Sequence, residues 1–171
     1  MGGGMFRRDP VSRWWEEINA GLWNRDVRTL GKWNGTPLAG TLGGGLFRFD
    51  PYSMIWEASN QGMIASNVRA LAVDGSTVYA GCFGGGVGVS TDQGVTWQMS
   101  NDALAEVFVN ALALQDGAAY AGTWNGVWKS DDQGQSWTAS GLTGHGVMRM
   151  ASLSSTLYAG VYGGGLYSSE N

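Results

Sequence analysis

Polar side chains suited to ligand binding, mostly arginines, recur at one position of a repeated tetrapeptide. We call these residues the polar series. The segments VRTL, VRAL and VNAL place Arg28, Arg69 and Asn110 at the same position, and VMRM places Arg149 one residue later. The planar guanidinium group of arginine suits carboxylates and phosphates, so a cluster of these side chains would bind an anion. The alternative is that they form hydrogen bonds between repeats and pair with nearby acids. The candidate acids are Glu16, Asp26, Glu57 and Asp74.

A second recurring position lies two residues after the tripeptides LAG and YAG. It is occupied by Leu42, Phe83, Trp124 and Tyr162. Aromatic rings in rigid glycine-rich loops can stack on sugar rings or on apolar side chains of a partner. The alternative is that these rings pack between neighbouring repeats. We therefore treat the three aromatics and the polar series as candidate ligand-binding residues.

Groups that could support catalysis or metal binding are sparse. Cys82 is the single cysteine, so no intrachain disulfide can form, and His145 is the single histidine, so a multi-histidine metal site is excluded. No serine or cysteine has a recognisable base partner nearby in the sequence. We expect no catalytic residue, no metal and no cofactor.

Composition excludes several classes of protein. The 171 residues include 29 glycines but only three prolines, and 43% are apolar, so neither a collagen nor a disordered chain is expected. The net charge is −4, which gives no basic footprint for nucleic acid or an anionic membrane surface. No run of residues has the length of a membrane span, and the start of the sequence lacks the apolar core of a signal peptide. The compartment is left undetermined.

Three markers repeat with one period and indicate the fold. Tryptophans at 15, 56, 97 and 137 are spaced by 41, 41 and 40 residues. Glycine triplets at 2–4, 43–45, 84–86 and 163–165 and the LAG/YAG tripeptides keep the same register. Each period contains four short stretches rich in β-branched and aromatic residues, which we label A to D, separated by Asp-Gly and glycine turns. Four strands per repeat of about 40 residues predict an all-β propeller, residues 1–171 forming a single domain.

Two of the turns between strands C and D resemble a known motif. The segments 90–97 and 130–137 both fit S-x-D-x-G-x-[ST]-W. This pattern is similar to the Asp-box, or BNR repeat, of sialidases, sortilin-type receptors and propeller-type photosystem assembly factors. The resemblance implies a structural role for Ser90, Asp92, Gly94 and Trp97, and for Ser130, Asp132, Gly134 and Trp137. The first two repeats depart from it with FRRDPVSRWW and FRFDPYSMIW, so we expect hairpins of different geometry there.

The same resemblance implies where a ligand would bind. In the family, the loops from B to C and from D to A share the binding face, while the Asp-box turns lie opposite. The arginines and aromatics described above then fall on the binding face, and His145 lies in a D-to-A loop beside them. The acidic residues cluster in D strands and C-to-D turns, which is the wrong face for a pair of catalytic carboxylates. The Arg-Ile-Pro motif of sialidases is absent.

Counting strands leaves the ring incomplete. The sequence begins with a C and a D strand, continues through three full repeats and ends with A, B and C strands. Compared with four complete blades, the chain therefore has one C strand too many. Sharing terminal strands would close the ring and remove exposed sheet edges. We expect a homodimer that forms one eight-bladed ring, with a closed four-bladed monomer as the alternative.

Taken with the binding-face residues, this arrangement favours a non-catalytic recognition or scaffold propeller that binds a glycan or an acidic partner. Two alternatives stay open. One is a remnant of a sialidase-type glycoside hydrolase, and the other is an amplified or engineered repeat scaffold that binds no ligand.

Overall fold

The computed structural model describes residues 3–101, 104 and 107–170, which form strands, turns and loops without a helix. Gly2 of the first glycine triplet lies outside the described residues. The described strands form five antiparallel sheets that follow one another along the chain. Three of them are complete four-stranded blades, and each is a meander in which neighbouring strands in the sequence pair with each other. The predicted all-β fold with four-stranded blades is confirmed.

The sheets have the following bounds. The N-terminal sheet contains β1 (Phe6–Arg8) and β2 (Trp15–Glu17). Blade 1 contains β3 (Val27–Trp33), β4 (Thr36–Thr41), β5 (Leu46–Asp50) and β6 (Ile55–Ala58). Blade 2 contains β7 (Val68–Asp74), β8 (Thr77–Cys82), β9 (Gly86–Ser90) and β10 (Gln98–Ser100). Blade 3 contains β11 (Val109–Gln115), β12 (Ala118–Thr123), β13 (Gly126–Ser130) and β14 (Thr138–Gly141). The C-terminal sheet contains β15 (Val147–Leu153), β16 (Thr156–Val161) and β17 (Gly165–Glu170).

The blades pack face to face around their A strands. Strand β3 packs on β7, β7 on β11, and β11 on β15, so the first strands of successive blades form the inner layer. Apolar residues of adjacent sheets meet in separate clusters, one in each gap between neighbouring sheets. Burial of β-branched and aromatic side chains in these gaps stabilises the arrangement, because each sheet covers the apolar face of the next.

An asparagine at the end of the D strand anchors the glycine triplet in three successive sheets. The Oδ1 atoms of Asn19, Asn60 and Asn101 accept the backbone N–H of Met5, Leu46 and Val87 at 2.6, 2.7 and 3.3 Å. A Cβ atom on Gly86 would lie 1.8 Å from Asn101 Oδ1, and its φ of 75° is also costly for other residues. The third glycine of the triplet is therefore required both by its backbone conformation and by the adjacent asparagine.

The turns between strands C and D are of two kinds, as predicted. In blades 2 and 3, Asp92 and Asp132 accept the backbone N–H located four residues later, at 2.8 and 2.9 Å. In the N-terminal sheet and blade 1, Asp9 and Asp50 instead accept N–H groups two residues later, both at 3.0 Å. The positive φ value also moves, from Gln93 and Gln133 in the first kind to Arg13 and Met54 in the second. A shorter turn without glycine thus replaces the S-x-D-x-G turn.

The terminal sheets are separate within one chain. Strand β17 pairs with β16 along its whole length, whereas β1 pairs with β2, and no hydrogen bonds join the two sheets in the described part of the chain. Strand β17 therefore fills the C position of the C-terminal sheet. The sharing of terminal strands predicted from the strand count is not seen within a single copy, since β2 pairs with β1 and not with β17. Closure through a second copy stays a prediction.

Candidate functional site

The two recurring positions found in the sequence meet at one end of the blades. The loop from B to C is tied to the residue that precedes the A strand of the same blade. The backbone N–H of Leu42 donates to Asp26 O, that of Phe83 to Asn67 O, and that of Tyr162 to Gly146 O, at 2.8 to 2.9 Å. Since the C-to-D turns lie at the other end of the C strand, they are distant from this end by topology. The predicted placement of arginines and aromatics together follows from this connection.

A β-bulge positions the polar series. In each A–B pair the register shifts by one residue near the start of the A strand, between Val27 and Thr29, Val68 and Ala70, Val109 and Ala111, and Val147 and Arg149. The extra residue in each bulge is Arg28, Arg69, Asn110 and Met148 respectively. A bulge leaves one residue outside the regular pairing and redirects its side chain. Arg149 lies one residue beyond the bulge, as the sequence alignment indicated.

Arg69 and Asn110 link three inner strands. One guanidinium nitrogen of Arg69 donates to Asn110 Oδ1 at 2.9 Å, and Asn110 Nδ2 donates to Val147 O at 3.2 Å. Asn110 is only 2% exposed. The Arg69 guanidinium also lies over the ring of Phe83, 3.7 Å from its centroid. The interpretation that this series forms hydrogen bonds between repeats is therefore correct for Arg69 and Asn110.

The three arginines nevertheless share one cavity. A space of about 240 Å³ is lined by Arg28, Leu42, Arg69, Met148 and Arg149. Burial lowers the pKa of Arg69, and the positive charges of Arg28 and Arg149 lower it further. The three side chains come from blade 1, blade 2 and the C-terminal sheet, so the cavity lies between the inner ends of these sheets. We call it the axial cavity.

The charges of the axial cavity are only partly compensated. Arg28 forms an ion pair with Asp26 at 2.9 Å, with both side chains about half exposed. Arg149 donates to the carbonyl oxygen of Met148 at 2.6 Å and has no acidic partner among the described ion pairs. Arg69 contacts an amide and an aromatic ring rather than a carboxylate. Of the three guanidinium groups, only that of Arg28 has a carboxylate partner among the described ion pairs.

The aromatic residues divide into two pairs. Phe83 is half-buried, and its ring centroid lies 4.7 Å from that of Phe108, so this ring is packed between blades 2 and 3. Trp124 and Tyr162 are both exposed and meet edge to face, with centroids 5.8 Å apart. Gly146 permits this position of Trp124, since a Cβ on Gly146 would lie 2.7 Å from its ring. Packing between blades thus accounts for Phe83, whereas Trp124 and Tyr162 leave ring surface accessible.

The remaining reactive side chains form no further centre. His145 is exposed near Tyr167, with ring centroids 6.1 Å apart, and Cys82 is buried, which raises its pKa to about 12. The described residues contain no group of three or more His, Cys, Asp and Glu side chains arranged to hold a metal ion. No helix among them is long and apolar enough to cross a membrane.

The polar side chains of the two S-x-D-x-G turns form hydrogen bonds within the same turn. Ser90 Oγ donates to Asp92 Oδ1 and accepts the N–H of Gly94, both at 2.8 Å. Thr96 donates its hydroxyl to Asp92 Oδ2 at 2.5 Å and its N–H to Oδ1. These bonds, the Thr96 hydroxyl first, lower the pKa of Asp92 to about 2. The second turn repeats the pattern with Ser130, Asp132, Gly134 and Ser136.

The asparagine series 19, 60 and 101 was not anticipated from the sequence, although its spacing of 41 residues carried the signal. The sequence predicts that Arg28, Arg69 and Arg149 cluster. It does not predict the cavity that they share, because this cavity forms between blade 1, blade 2 and the C-terminal sheet.

Comparison with known proteins supports the fold class. No family model matches the chain, and no curated protein matches it significantly. The extracellular domain of BT4673, a one-component system of B. thetaiotaomicron, aligns with a TM-score of 0.78 and 19% identity over 97% of this chain and 24% of that one. The GH74 enzyme of Niastella koreensis aligns with a TM-score of 0.67 and 23% identity over 85% and 28%. The computationally designed Ika4 protein aligns with a TM-score of 0.65 and 14% identity over 84% and 90%.

These likenesses concern the fold alone. The chain spans about a quarter of the length of the two natural proteins and most of the designed one. Together with the four-stranded blades and the radial order of the A strands, they identify an all-β propeller fold.

Proposed function

We propose that this chain is a non-catalytic recognition propeller whose axial cavity binds an anionic group. The observation that carries the proposal is the presence of Arg28, Arg69 and Arg149 on one cavity, where only Arg28 has a carboxylate partner, Asp26. The ligand would carry carboxylates or similar anions, as an acidic sugar or an acidic protein segment does. Guanidinium groups bind such anions through paired, charge-assisted hydrogen bonds.

Electrostatics favours an anion in this position. The lowered pKa of Arg69 reflects partial burial and repulsion from two like charges. An anion placed between the three side chains would replace this repulsion with attraction, and partial burial would reduce screening by solvent. Because Arg69 is already held by Asn110 and Phe83, little side-chain entropy would be lost when the ligand binds.

The exposed aromatics extend the proposed site. Trp124 and Tyr162 lie on B-to-C loops, at the same end of the blades as the axial cavity. Their accessible ring faces suit a sugar ring or an apolar side chain of the ligand. We therefore assign to them a contribution to selectivity, while the arginines supply most of the affinity for the anionic group.

We infer a non-catalytic role from the positions of the acids. Glycoside hydrolysis needs two carboxylates on either side of one bond. No acidic side chain lines the axial cavity in the described part of the chain, and Asp26 beside it is paired with Arg28. We further infer that the two S-x-D-x-G turns are Asp-boxes, since their hydrogen bonds are internal and leave Asp92 and Asp132 no free acceptor role at a ligand.

Calorimetric titration with citrate, a tricarboxylate, tests the anion site. We expect Arg69→Gln to weaken citrate binding by about ten- to a hundredfold, which corresponds to one charge-assisted hydrogen bond. Arg48→Gln is the matched control, because Arg48 lies on β5, pairs with Glu57 at 3.2 Å and does not line the cavity. Equal losses in the two variants would contradict the proposal, because they would reflect net charge alone.

A glycan array tests the ligand class. Acidic glycans are expected to bind, with loss of binding in Trp124→Ala and retention of citrate binding in the same variant. If neutral glycans bind as well as acidic ones, the arginines are not the main determinant of glycan binding. Turnover of a fluorogenic sialoside would favour the hydrolase alternative, and the absence of binding to citrate and to every glycan would favour a scaffold without a ligand.

A further inference from the structure

A tryptophan in the D strand, or directly before it, closes the outer part of three inter-sheet gaps. Trp56 lies in the apolar cluster between the N-terminal sheet and blade 1, Trp97 in that between blades 1 and 2, and Trp137 in that between blades 2 and 3. They are 2%, 5% and 1% exposed. In each case the tryptophan belongs to the later sheet of the pair and packs towards the earlier one.

The gap between blade 3 and the C-terminal sheet lacks this side chain. Its apolar cluster contains Tyr120, Val127, Leu157 and Ala159 but no tryptophan among the described residues. The same four residues, with Tyr167, line an open cleft of about 370 Å³. The cleft is thus continuous with an established core and lies where the D strand of a complete fourth blade would place its tryptophan.

One further tryptophan, Trp15, occupies the equivalent position of the repeat, and it does not pack in a gap between sheets. Trp15 pairs with Arg8 in the same register in which Trp56 pairs with Phe49. Unlike the other three, Trp15 is 67% exposed. Its sheet is held on blade 1, since Trp56 donates its backbone N–H to Ala20 O at 2.8 Å and its indole N–H to Ile18 O at 2.7 Å. Within one copy, Trp15 therefore stays outside the cleft.

We propose that the cleft between blade 3 and the C-terminal sheet binds Trp15 of a second copy of this chain. Each copy carries both the cleft and the exposed tryptophan, so a two-fold dimer makes the contact twice. Glu16 and Glu17 on strand β2 are paired with Arg7 and Arg25, and Lys129 at the cleft is paired with Asp131, so docking of this strand brings none of these three charges into the cleft without a partner.

Docking would also cover exposed apolar surface. Leu166 on β17 is exposed, whereas its equivalents Leu46 and Val87 are fully buried because another blade follows them. Leu30 on β3 is likewise exposed beside the N-terminal sheet. Exposed apolar faces of this kind are typical of protein interfaces. The proposal is independent of the anion site, because the cleft lies between outer strands and shares no lining residue with the axial cavity.

Sedimentation equilibrium on the whole chain tests this contact. We expect the wild type to dissociate in the micromolar range between a species of 18.1 kDa and one of twice that mass. Trp15→Ala should raise the dimer dissociation constant by at least about tenfold, as expected for the loss of a buried tryptophan anchor. Trp14→Ala is the matched control, because its side chain is adjacent, equally large and 78% exposed. It should leave the dissociation constant unchanged.

A second variant, on the opposite side of the contact, keeps the test decisive if Trp15→Ala fails to fold. Tyr167→Glu places a charge at the rim of the cleft, where Tyr167 is partly exposed, and should weaken the dimer similarly. Mixing Trp15→Ala with Tyr167→Glu restores one intact tryptophan and one intact cleft, so a heterodimer should form more readily than either homodimer. A monomeric wild type, or equal dissociation constants for Trp15→Ala and Trp14→Ala, would overturn the proposal.

Discussion

The C-to-D turns and the axial cavity lie at opposite ends of the blades and differ in how their polar groups are satisfied. At the turns, Asp92 and Asp132 accept all their hydrogen bonds from residues of the same turn. The axial cavity is lined by three guanidinium groups, of which only that of Arg28 is paired with a carboxylate. A region whose polar groups are internally satisfied stabilises the fold, whereas a region with uncompensated charge is available for a ligand. This difference is the basis of our proposal that one end of the repeat serves stability and the other serves recognition.

Removal of a tryptophan near the turns is expected to have the largest effect on stability. Trp97→Ala would leave a cavity between blades 1 and 2 and lower the free energy of unfolding by about 3–5 kcal/mol. Chemical denaturation measures this change, with Trp14→Ala as the exposed control expected within about 0.5 kcal/mol of wild type. A similar loss in both variants would mean that the gap does not depend on Trp97.

Removal of the charge of a turn aspartate should have a smaller effect. Asp92→Asn weakens three hydrogen bonds at an exposed position, so we expect a loss of about 1 kcal/mol in the free energy of unfolding. Asp131→Asn is the control, because its surface ion pair with Lys129 contributes little. A loss in Asp131→Asn as large as in Asp92→Asn would contradict the assignment of stability to the turn.

Acid should remove the contribution of these turns. The pKa values of Asp92 and Asp132 are lowered to about 2 in the folded protein from an ordinary 3.8. Their stabilising contribution is therefore complete above about pH 4 and is lost as the pH falls towards 2, because the unfolded chain binds protons first. Denaturation between pH 5 and 2 should show a steeper decline for the wild type than for the double variant Asp92→Asn/Asp132→Asn. Parallel curves would show that other carboxylates dominate acid unfolding.

Substitution in the axial cavity should have the smallest effect on stability. Arg69→Gln relieves repulsion among three cations while weakening the contact with Asn110, so we expect a change within about 0.5 kcal/mol. Asn110→Ala sharpens the comparison, because Asn110 is buried and its loss leaves Val147 O without this donor, at a cost of about 1–3 kcal/mol. If Arg69→Gln destabilises the protein as much as Asn110→Ala, the arginine is mainly an inter-blade contact.

Much of the fold could be predicted because its determinants are local and repeated. Glycine and Asp-Gly turns that repeat every 41 residues separate short runs of β-forming residues in the sequence. The four strands of blade 2 coincide with four such runs to within a few residues. The turn with the S-x-D-x-G pattern was expected to be structural, and its hydrogen bonds are internal, since every donor and acceptor lies within a few residues. Even the offset of Arg149 by one residue was apparent, because it follows from the same alignment.

The tertiary structure decided which of these repeated residues differ in environment. Trp15 and Trp97 occupy the same position in the repeat, yet one is exposed and the other buried, because only blade 2 has an earlier complete blade to cover its tryptophan. Phe83 and Trp124 are also equivalent, but Phe83 is covered by Arg69 and Phe108. The sequence by itself determined the blade, which depends on neighbours along the chain. Only the packing of one blade on another determined the axial cavity and the open cleft, because both are formed by side chains from different blades.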